Sequence, residues 1–366
     1  MVSNHQLRCL DCSETQEPSV ADLYCSHCGG LFAVQYDDPP SGEQPRLPFT
    51  DFETANSLGE GDTPLVFLEQ TCEELGLGSL WAKLEFMAPT GSFKDRGSAI
   101  LTTMGRDLGV YEFVEDSSGN AGASLSAYAA TVGLKAHVFA PASAASGKSD
   151  QIQIFGATLH KIEGARQVAT DAAEQYVADH GSVYMSHNLS PYFSEGMKAA
   201  SYEIVELLDD GIDDVVLPVG NGSLLIGMVR GYQELKEAGV IERIPRFHGV
   251  QAHGVRPVVA ALNDEDWSQD DVQPTNASGI AVSKPPRLAE MVEAIQSTSG
   301  TGITVTEESL TEWQSRLASS EGIFAEMTSA GAFAGLTQLI ESGVIESGSN
   351  VCVPITGSGL KEPLSR

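Results

Sequence analysis

The chain has 366 residues, of which 21 are Lys or Arg and 50 are Asp or Glu, so its formal net charge is −29. A hydrophobic fraction of 42% excludes a disordered chain, and the length predicts two domains, or two domains and a small module. The charge argues against a nucleic-acid-binding protein, because a phosphate polyanion would be repelled. The acidic residues are spread along the whole chain, as in proteins from very salty cytoplasm; an ordinary acidic soluble protein is the alternative.

No apolar run approaches the roughly 18 residues that a membrane-spanning helix requires. The first residues carry neither the basic segment nor the apolar core of a secretory signal peptide. We therefore expect a cytoplasmic protein that binds no membrane.

Residues 1–36 form a cysteine-rich segment with two Cys-x2-Cys pairs. Four thiolates in two tight turns are what a tetrahedral zinc ion requires, so we predict a structural zinc ribbon; a redox pair is the alternative. Such a ribbon could also bind nucleic acid, but Arg8 is the single Lys or Arg in this segment. The predicted metal ligands are Cys9, Cys12, Cys25 and Cys28.

A linker rich in Pro and Gly follows, and from about residue 60 short β-branched runs alternate with Ala-rich segments. This alternation predicts an α/β fold with mainly parallel sheets that are covered on both faces. The predicted strands are 111–114, 136–140, 157–162, 215–219, 247–251 and 351–355. The predicted helices are 121–131, 165–178, 194–208 and 224–238, and residues 263–271 are expected to form an exposed loop.

The most informative segment is PTGSFKDRG, residues 89–97, in which a lysine follows a glycine turn and an aromatic residue. A partly desolvated lysine has a lowered pKa and can form a Schiff base with an aldehyde, so Lys94 is the candidate nucleophile. The alternative is a surface lysine at a helix start. We interpret Asp95 and Arg96 as an ion pair that fixes this helix.

Two further loops each join a predicted strand to a predicted helix. In SSGNAG, residues 117–122, Ser117 and Ser118 either bind a carboxylate or cap the helix, and the Asn120 amide can bond a phenolic oxygen. In the second loop, glycines let the backbone approach an anion at a helix N-terminus, which predicts a phosphate site. That loop consists of Gly220, Asn221, Gly222, Ser223 and Leu224.

A Schiff-base lysine, a phosphate loop and an Asn loop together meet the requirements of pyridoxal phosphate. Near the C-terminus, TGSGLK at residues 356–361 supplies the Thr356 hydroxyl after a strand, although a Thr before Gly is also ordinary turn chemistry. No carboxylate occurs at this turn, so we expect none to hold the pyridine nitrogen protonated.

The motifs PTGSFKDRG, SSGNAG, VGNGSLL, SGIAVSKPPR and TGSGLK, in this order, resemble those of threonine synthases in the tryptophan-synthase-β-like group of pyridoxal-phosphate enzymes. The cysteine-rich start resembles the zinc-ribbon-like start of many bacterial and archaeal members. The resemblance covers nearly the whole chain. It implies two three-layer α/β domains with the cofactor in the cleft between them, the smaller at 91–190 and the larger at 45–90 and 191–366.

The resemblance also implies the residue roles. Lys94 would carry the Schiff base and act as general base, Asn120 would bond the cofactor 3′-oxygen, and Thr356 would face the pyridine nitrogen. The loop 220–224 would hold the cofactor phosphate. The substrate would be O-phosphohomoserine, converted with water to threonine and phosphate by γ-elimination and β-hydration. Dimers are common among relatives, so a homodimer is expected.

Some residues depart from the family pattern. Family members often carry a basic residue where this chain has Phe193, and Asn-Thr where it has Asn120 and Ala121. Residues 326–330 read Glu-Met-Thr-Ser-Ala instead of Glu-Pro-Ser-Ser-Ala, and Glu326 has no assigned role. His187 is expected to be packed or on the surface. The candidate substrate contacts are Ser117, Ser118, Asn188, Lys148 and Lys198, with both lysines also expected on solvated faces.

Other functions stay open. The nearest are a threonine or serine ammonia-lyase and a β-replacement enzyme resembling cysteate synthase, which share the fold. A non-catalytic binding protein is a second class, which the presence of Lys94 disfavours. A zinc-ribbon nucleic-acid adaptor is the third, which the charge disfavours.

Overall fold

The computed structural model describes residues 5–49, 54–142, 146–164, 166–208 and 210–362. Short 3-10 turns occur at Glu85–Met87, Glu195–Met197, Gln269–Asp271, Ser278–Ile280 and Gly359–Lys361. The strands are β1 His5–Cys9, β2 Thr15–Gln16, β3 Phe32–Tyr36, β4 Leu65–Phe67, β5 Ser79–Lys83, β6 Glu112–Glu115, β7 Lys135–Pro141, β8 Thr158–Ile162, β9 Val183–Tyr184, β10 Asp214–Pro218, β11 Arg246–Ala252, β12 Gly302–Val305 and β13 Asn350–Pro354. The helices are α1 Glu69–Leu75, α2 Lys94–Asp107, α3 Asn120–Val132, α4 Ser146–Ile154, α5 Arg166–His180, α6 Lys198–Leu207, α7 Ser223–Glu237, α8 Pro257–Leu262, α9 Leu288–Ser297, α10 Glu307–Ser320 and α11 Met327–Glu341.

Most predicted elements are confirmed, with ends that shift by one or two residues. The helix predicted at 165–178 is α5, and residue 165 itself lies outside the described residues. The loop predicted at 263–271 is exposed apart from the half-buried Trp267. None of the helices in the described ranges is long and apolar enough to cross a membrane.

One predicted helix is wrong at its start. The segment predicted as a single helix over 194–208 begins with the 3-10 turn Glu195–Met197, and the α-helix starts only at Lys198. At Gly196 an added Cβ would lie 2.0 Å from the backbone oxygen of Arg96. Close packing on α2, rather than helix propensity, therefore sets the backbone here.

The described residues divide into two compact units. Unit 1 comprises the residues up to Gly61, those from Ala88 to Met197, and Glu362; unit 2 comprises Asp62–Met87 and Lys198–Lys361. The division into a ribbon and two domains at the boundaries given above stays a prediction.

Unit 1 contains two sheets. The cysteine-rich segment forms an antiparallel sheet of order β2-β1-β3. The second sheet is parallel, in the order β8-β7-β6-β9. Successive residues of β7 point to opposite faces: Val138 packs with Ala123 of α3 and Ile152 of α4, whereas Phe139 packs with Ala173 of α5. Both faces are thus covered by helices, as the βα alternation predicts.

Unit 2 is built on a six-stranded sheet of order β12-β11-β10-β13-β5-β4. All neighbouring strands are parallel except the edge strand β4, which pairs antiparallel with β5. Helices α10 and α11 contribute Trp313 and Phe333 to a core with Val216, Val250 and Val353 of the sheet. The parallel strands end at one edge, where their loops carry the site residues of this unit.

A buried charge cluster joins β5 to α6 in unit 2. Lys83 is fully buried, and its Nζ lies 2.5 Å from Glu203 Oε2 and 2.5 Å from the backbone oxygen of Thr63. Thr63 Oγ1 donates to Glu85 Oε1 at 2.8 Å, and Glu85 is fully buried as well. The lysine therefore compensates two carboxylates that have little access to water.

We predict that Lys83→Met destabilises the protein by roughly 3–5 kcal/mol, because it leaves both carboxylates buried without their cation. Denaturant unfolding followed by tryptophan fluorescence, to which Trp81 on the same strand contributes, measures this loss. The matched control is Lys236→Met at an exposed position of α7, which should change stability by less than about 0.5 kcal/mol. Equal midpoints for the two variants would show that the cluster does not stabilise unit 2.

Candidate functional site

Lys94 is the first residue of α2, and the preceding turn is held by its neighbours. Gly91 has φ +82°, a conformation that favours glycine, and its N–H donates to the backbone oxygen of Ala88. Asp95 accepts hydrogen bonds from the backbone N–H of Thr90 at 2.6 Å and from Thr90 Oγ1 at 2.5 Å. Asp95 therefore fixes the turn before Lys94 as well as the helix start.

The Lys94 amine lies against aromatic rings. Its Nζ is 4.3 Å from the ring centroid of Phe93 and 5.7 Å from that of Phe193, which is fully buried. Both distances suit cation–π contact. Ser92 is also fully buried, and its Oγ has no hydrogen-bond partner among the described residues. The Ser92 hydroxyl, two residues before Lys94, is thus available to a bound ligand. A lysine that only begins a helix does not require such a group.

Glu115 and His187 form a buried pair in unit 1 that the sequence did not reveal. His187 Nδ1 lies 2.6 Å from Glu115 Oε1, and the His187 backbone N–H donates to Glu115 Oε2 at 3.1 Å. Burial, and then the neighbouring Asp116, raises the pKa of Glu115 well above 4.5. Burial, and then the charge of Lys94, lowers the pKa of His187 well below 6.5. The pair therefore favours a neutral carboxyl and a neutral imidazole next to the lysine.

The Asn loop folds tightly between β6 and α3. Asn120 is the first residue of α3, and an added Cβ on Gly122 would lie 1.9 Å from the backbone oxygen of Ser117. Ser117 Oγ accepts from the backbone N–H of Gly119 at 3.3 Å, so it stabilises the turn, while the N-cap residue Gly119 has no side-chain cap. Ser118 is half-buried.

The predicted phosphate loop lies between β10 and α7 in unit 2. Gly222 is the N-cap of α7 with φ +83°, and an added Cβ would lie 2.2 Å from Met291 Sδ. An added Cβ on Gly220 would lie 2.7 Å from the backbone oxygen of Gly279, in the SGIAVSKPPR segment. The first turn of α7 carries no acidic residue, and Ser223 Oγ is buried without a hydrogen-bond partner among the described residues. The loop therefore offers N–H and O–H donors to an anion.

A carboxylate from elsewhere in the chain reaches the C-terminal turn of unit 2. Thr356 Oγ1 lies 2.7 Å from Ser329 Oγ and 3.3 Å from Glu326 Oε1. Ser329 Oγ also accepts from the backbone N–H of Thr356 at 2.9 Å, so its own proton can go to Thr356 Oγ1. Glu326 therefore hydrogen-bonds the Thr356 hydroxyl, while the expectation that no carboxylate holds the pyridine nitrogen protonated stays a prediction.

The remaining candidate substrate contacts are buried or half-buried. Both lysines are buried, so the expectation of solvated faces is wrong: Lys148 Nζ is 3.0 Å from Glu362 Oε1, and Lys198 Nζ is 2.9 Å from Glu234 Oε1. Asn188 is half-buried and accepts from Ser186 Oγ. A role of these residues in substrate binding stays a prediction.

The four clustered cysteines converge at one end of the ribbon sheet. Their sulfur atoms all lie within 4.8 Å of one another, with Cys9 Sγ 3.4 Å from Cys28 Sγ and Cys12 Sγ 3.7 Å from Cys25 Sγ. These separations are far longer than a disulfide bond and suit four thiolates around one tetrahedral ion. Within the described residues this is the one cluster of this kind.

Comparison with known proteins identifies the family. A family model described as pyridoxal-phosphate dependent enzyme matches residues 56–357. The chain belongs to this family. A threonine synthase of Methanocaldococcus jannaschii is 34% identical over 97% of this chain and 93% of that protein. Threonine synthases of Methanosarcina acetivorans and Mycobacterium leprae are 32% and 35% identical, over 98% and 87% of this chain and 93% and 87% of those proteins.

Solved structures of the same fold support the assignment. A maize serine racemase superposes with a TM-score of 0.72 at 18% identity, covering 81% of this chain and 88% of that one. A tomato threonine deaminase has a TM-score of 0.72 at 18% identity, covering 88% and 90%. At these identities the likeness concerns the fold alone, and it confirms the predicted fold class.

The residues present fit pyridoxal phosphate, the cofactor of the family. Ser223 Oγ and Ser92 Oγ are buried hydroxyls with hydrogen-bonding capacity to spare among the described residues. Gly220 and Gly222 leave little room for side chains, and Gly222 is the N-cap of α7, where the first N–H groups of a helix lack partners within the helix. The roles of Lys94 in attaching the cofactor and of loop 220–224 in binding its phosphate stay predictions.

We predict that Cys9→Ser lowers the bound metal to well below one ion per chain, because it removes one of four soft ligands. Metal content of the purified protein by plasma mass spectrometry measures this. Cys72→Ser is the matched control, since Cys72 is a buried cysteine outside the cluster and should leave the metal content unchanged. Equal loss in both variants would contradict a site made by the ribbon cysteines.

We also predict a characteristic pH dependence for Glu115→Gln. The neutral Glu115 carboxyl contributes stability that is complete below pH 4.5, its unfolded pKa, and is lost as pH rises through its raised folded pKa. Glutamine is neutral at every pH. The unfolding free energy of the variant should therefore rise relative to that of the wild type as pH increases, by at most about 1.4 kcal/mol per pH unit.

Glu265→Gln is the control. The hydrogen bond from Arg256 lowers the pKa of Glu265, so its contribution is lost only as pH falls below 4.5. Its difference from the wild type should be constant from about pH 5 to pH 8. Denaturant unfolding across this range tests both variants, and a constant difference for Glu115→Gln would mean that Glu115 is ionised in the folded protein.

Proposed function

We propose that the protein is a threonine synthase that converts O-phosphohomoserine and water into threonine and phosphate. The observation that carries the proposal is the likeness to relatives named threonine synthase over nearly the whole chain, cysteine-rich start included. The geometry of Lys94, in its aromatic setting at the start of α2, supports a lysine that works as a nucleophile and base.

In this proposal the residues of the chain have the following roles in the reaction. Bound pyridoxal phosphate supplies an electron sink that acidifies the substrate Cα–H. Lys94 Nζ removes and returns the proton at that carbon, and its helix start is fixed by Asp95. Loop 220–224 binds the cofactor phosphate, and Asn120 binds the 3′-oxygen.

Thr356 orients its oxygen toward the pyridine nitrogen in this proposal. Its hydroxyl donates to Glu326 Oε1 and can accept from Ser329, so it presents a lone pair rather than a proton to the ring. A lone pair favours a protonated ring nitrogen, and the buried Glu326 carboxylate strengthens the hydrogen bond that fixes this orientation.

The finer assignments are also part of the proposal. We propose zinc for the four-cysteine site, because zinc favours four tetrahedral thiolates. The chain has 50 acidic and 21 basic residues, and such a surplus of acidic residues suits a cytoplasmic protein of a saline cell. A homodimer is proposed by analogy with related enzymes.

An ammonia-lyase acting on threonine or serine is the second candidate. Two lysines considered for the substrate phosphate, Lys148 and Lys198, each face a carboxylate within about 3.0 Å. Phe193 stands where family members often have a basic residue, and it is fully buried. These observations favour a substrate without a phosphate group.

The deciding assay gives the holoenzyme O-phosphohomoserine, threonine or serine in turn at high salt and measures phosphate, ammonia and the amino-acid product. We expect equal amounts of phosphate and threonine from O-phosphohomoserine only. Lys94→Ala should lower the rate at least about 10²-fold, while Lys135→Ala, at an exposed position, should not. Ammonia and a 2-oxoacid from threonine or serine, without phosphate release, would establish the second candidate instead.

A further inference from the structure

The end of the ribbon remote from the cysteines contacts a segment of the parallel-sheet part of unit 1. His5 and Tyr36 lie directly opposite each other where β1 pairs with β3, and Cys9 pairs with Phe32 at the other end. His5 Nε2 lies 3.1 Å from the hydroxyl of Tyr192, with the rings edge to face. Tyr36 OH donates to Glu195 Oε2 at 2.7 Å.

These contacts are shielded from water. His5 is 4% exposed, Tyr192 is fully buried and Glu195 is 1% exposed. Hydrogen bonds to a buried carboxylate are strong and costly to leave unmade. The two cross-strand residues of the ribbon therefore hold both ends of the short segment 192–195.

The same segment packs on the helix that carries the catalytic lysine. The Phe193 ring lies beside Lys94 Nζ, and an added Cβ on Gly97 would be 2.6 Å from the backbone oxygen of Phe193. Gly196 approaches the backbone oxygen of Arg96 just as closely. With glycine on each side of the contact, segment 192–197 and the first turn of α2 cannot shift independently.

The strand pairing connects these contacts to the cysteines. β1 and β3 pair over five residues, from Cys9 with Phe32 to His5 with Tyr36, and the cysteine cluster lies at the first of these pairs. A small cysteine-rich sheet has little core of its own, so a bound metal ion contributes most of its order. Order at the cysteine end is therefore transmitted to His5 and Tyr36 by the register of one strand pair.

We propose that His5 and Tyr36 are positioning residues for Lys94: they hold segment 192–197 against α2, so that the ribbon sets the presentation of the catalytic amine. In this proposal the ribbon contributes to the geometry of the active site and not only to the stability of the fold. The inference rests on the proposed role of Lys94 in binding pyridoxal phosphate, but it does not depend on which amino acid is the substrate.

The test uses Tyr36→Phe in the full-length holoenzyme, with Tyr24→Phe as matched control, since Tyr24 is a ribbon tyrosine that is 54% exposed. Hydrogen exchange of the amides in the first turns of α2 is measured by mass spectrometry, with and without the cofactor. Cofactor dissociation and the pH titration of the cofactor absorbance are followed without substrate. We expect Tyr36→Phe to speed exchange and dissociation roughly tenfold, and Tyr24→Phe to change neither.

A double-mutant cycle with Glu195→Gln isolates the contact. If the effect runs through the Tyr36–Glu195 hydrogen bond, the double variant should match the stronger single variant rather than show the product of the two effects. The cycle also covers the case in which Tyr36→Phe folds poorly, because Glu195→Gln keeps the size of the side chain and weakens the same hydrogen bond by removing the charge of its acceptor. Removing the ribbon metal with a chelator should speed exchange in α2 in the same way.

The proposal is overturned if both Tyr36→Phe and Glu195→Gln behave as the wild type in amide exchange of α2, in cofactor dissociation and in the pH titration of the cofactor absorbance. The ribbon would then contribute to folding only. Failure of the proposed function gives a different result. In that case borohydride reduction still places the cofactor on Lys94, and the positioning effects persist, but threonine is not formed from O-phosphohomoserine.

Discussion

The packing of Phe193 and Gly196 on the first turn of α2 is the constraint on which the site in unit 1 depends. The two glycines Gly97 and Gly196 bring backbones so close that no side chain fits between them. This packing places the Phe193 ring 5.7 Å from the lysine amine, which also lies 4.3 Å from the ring of Phe93, and the lysine is half-buried there. His187 packs edge to face on Phe193, and the ribbon contacts Tyr192 and Glu195, so both meet the segment that makes this contact.

The sequence predicted the secondary-structure elements and the turns of the local motifs well, because each depends on residues that are close together in the chain. Alternating β-branched and Ala-rich runs located the parallel strands and helices, and a lysine after a glycine turn located Lys94. The phosphate loop was predicted for the same reason, since its glycines and the following helix are adjacent in the chain. The structure adds why glycine suits position 222, namely its φ of +83° at the N-cap of α7.

What the sequence could not show are pairs that join distant segments. Glu115 and His187 are 72 residues apart, and Thr356 and Glu326 are 30 apart, so no local pattern reveals either contact. The burial of Lys148 and Lys198 was not predicted, because the carboxylates that pair with these lysines are distant in the sequence. Three of the nine lysines, Lys83, Lys148 and Lys198, are buried beside carboxylates.

The strand order of unit 2 has a consequence for how the protein is made. β13, the last strand of the chain, lies in the middle of the sheet between β10 and β5. During synthesis, β5 and β10 therefore emerge long before the strand that separates them, and each exposes an unpaired edge in the meantime. The ribosome must release the chain through β13 before this sheet can close, so the nascent chain depends on protection from aggregation until that strand appears.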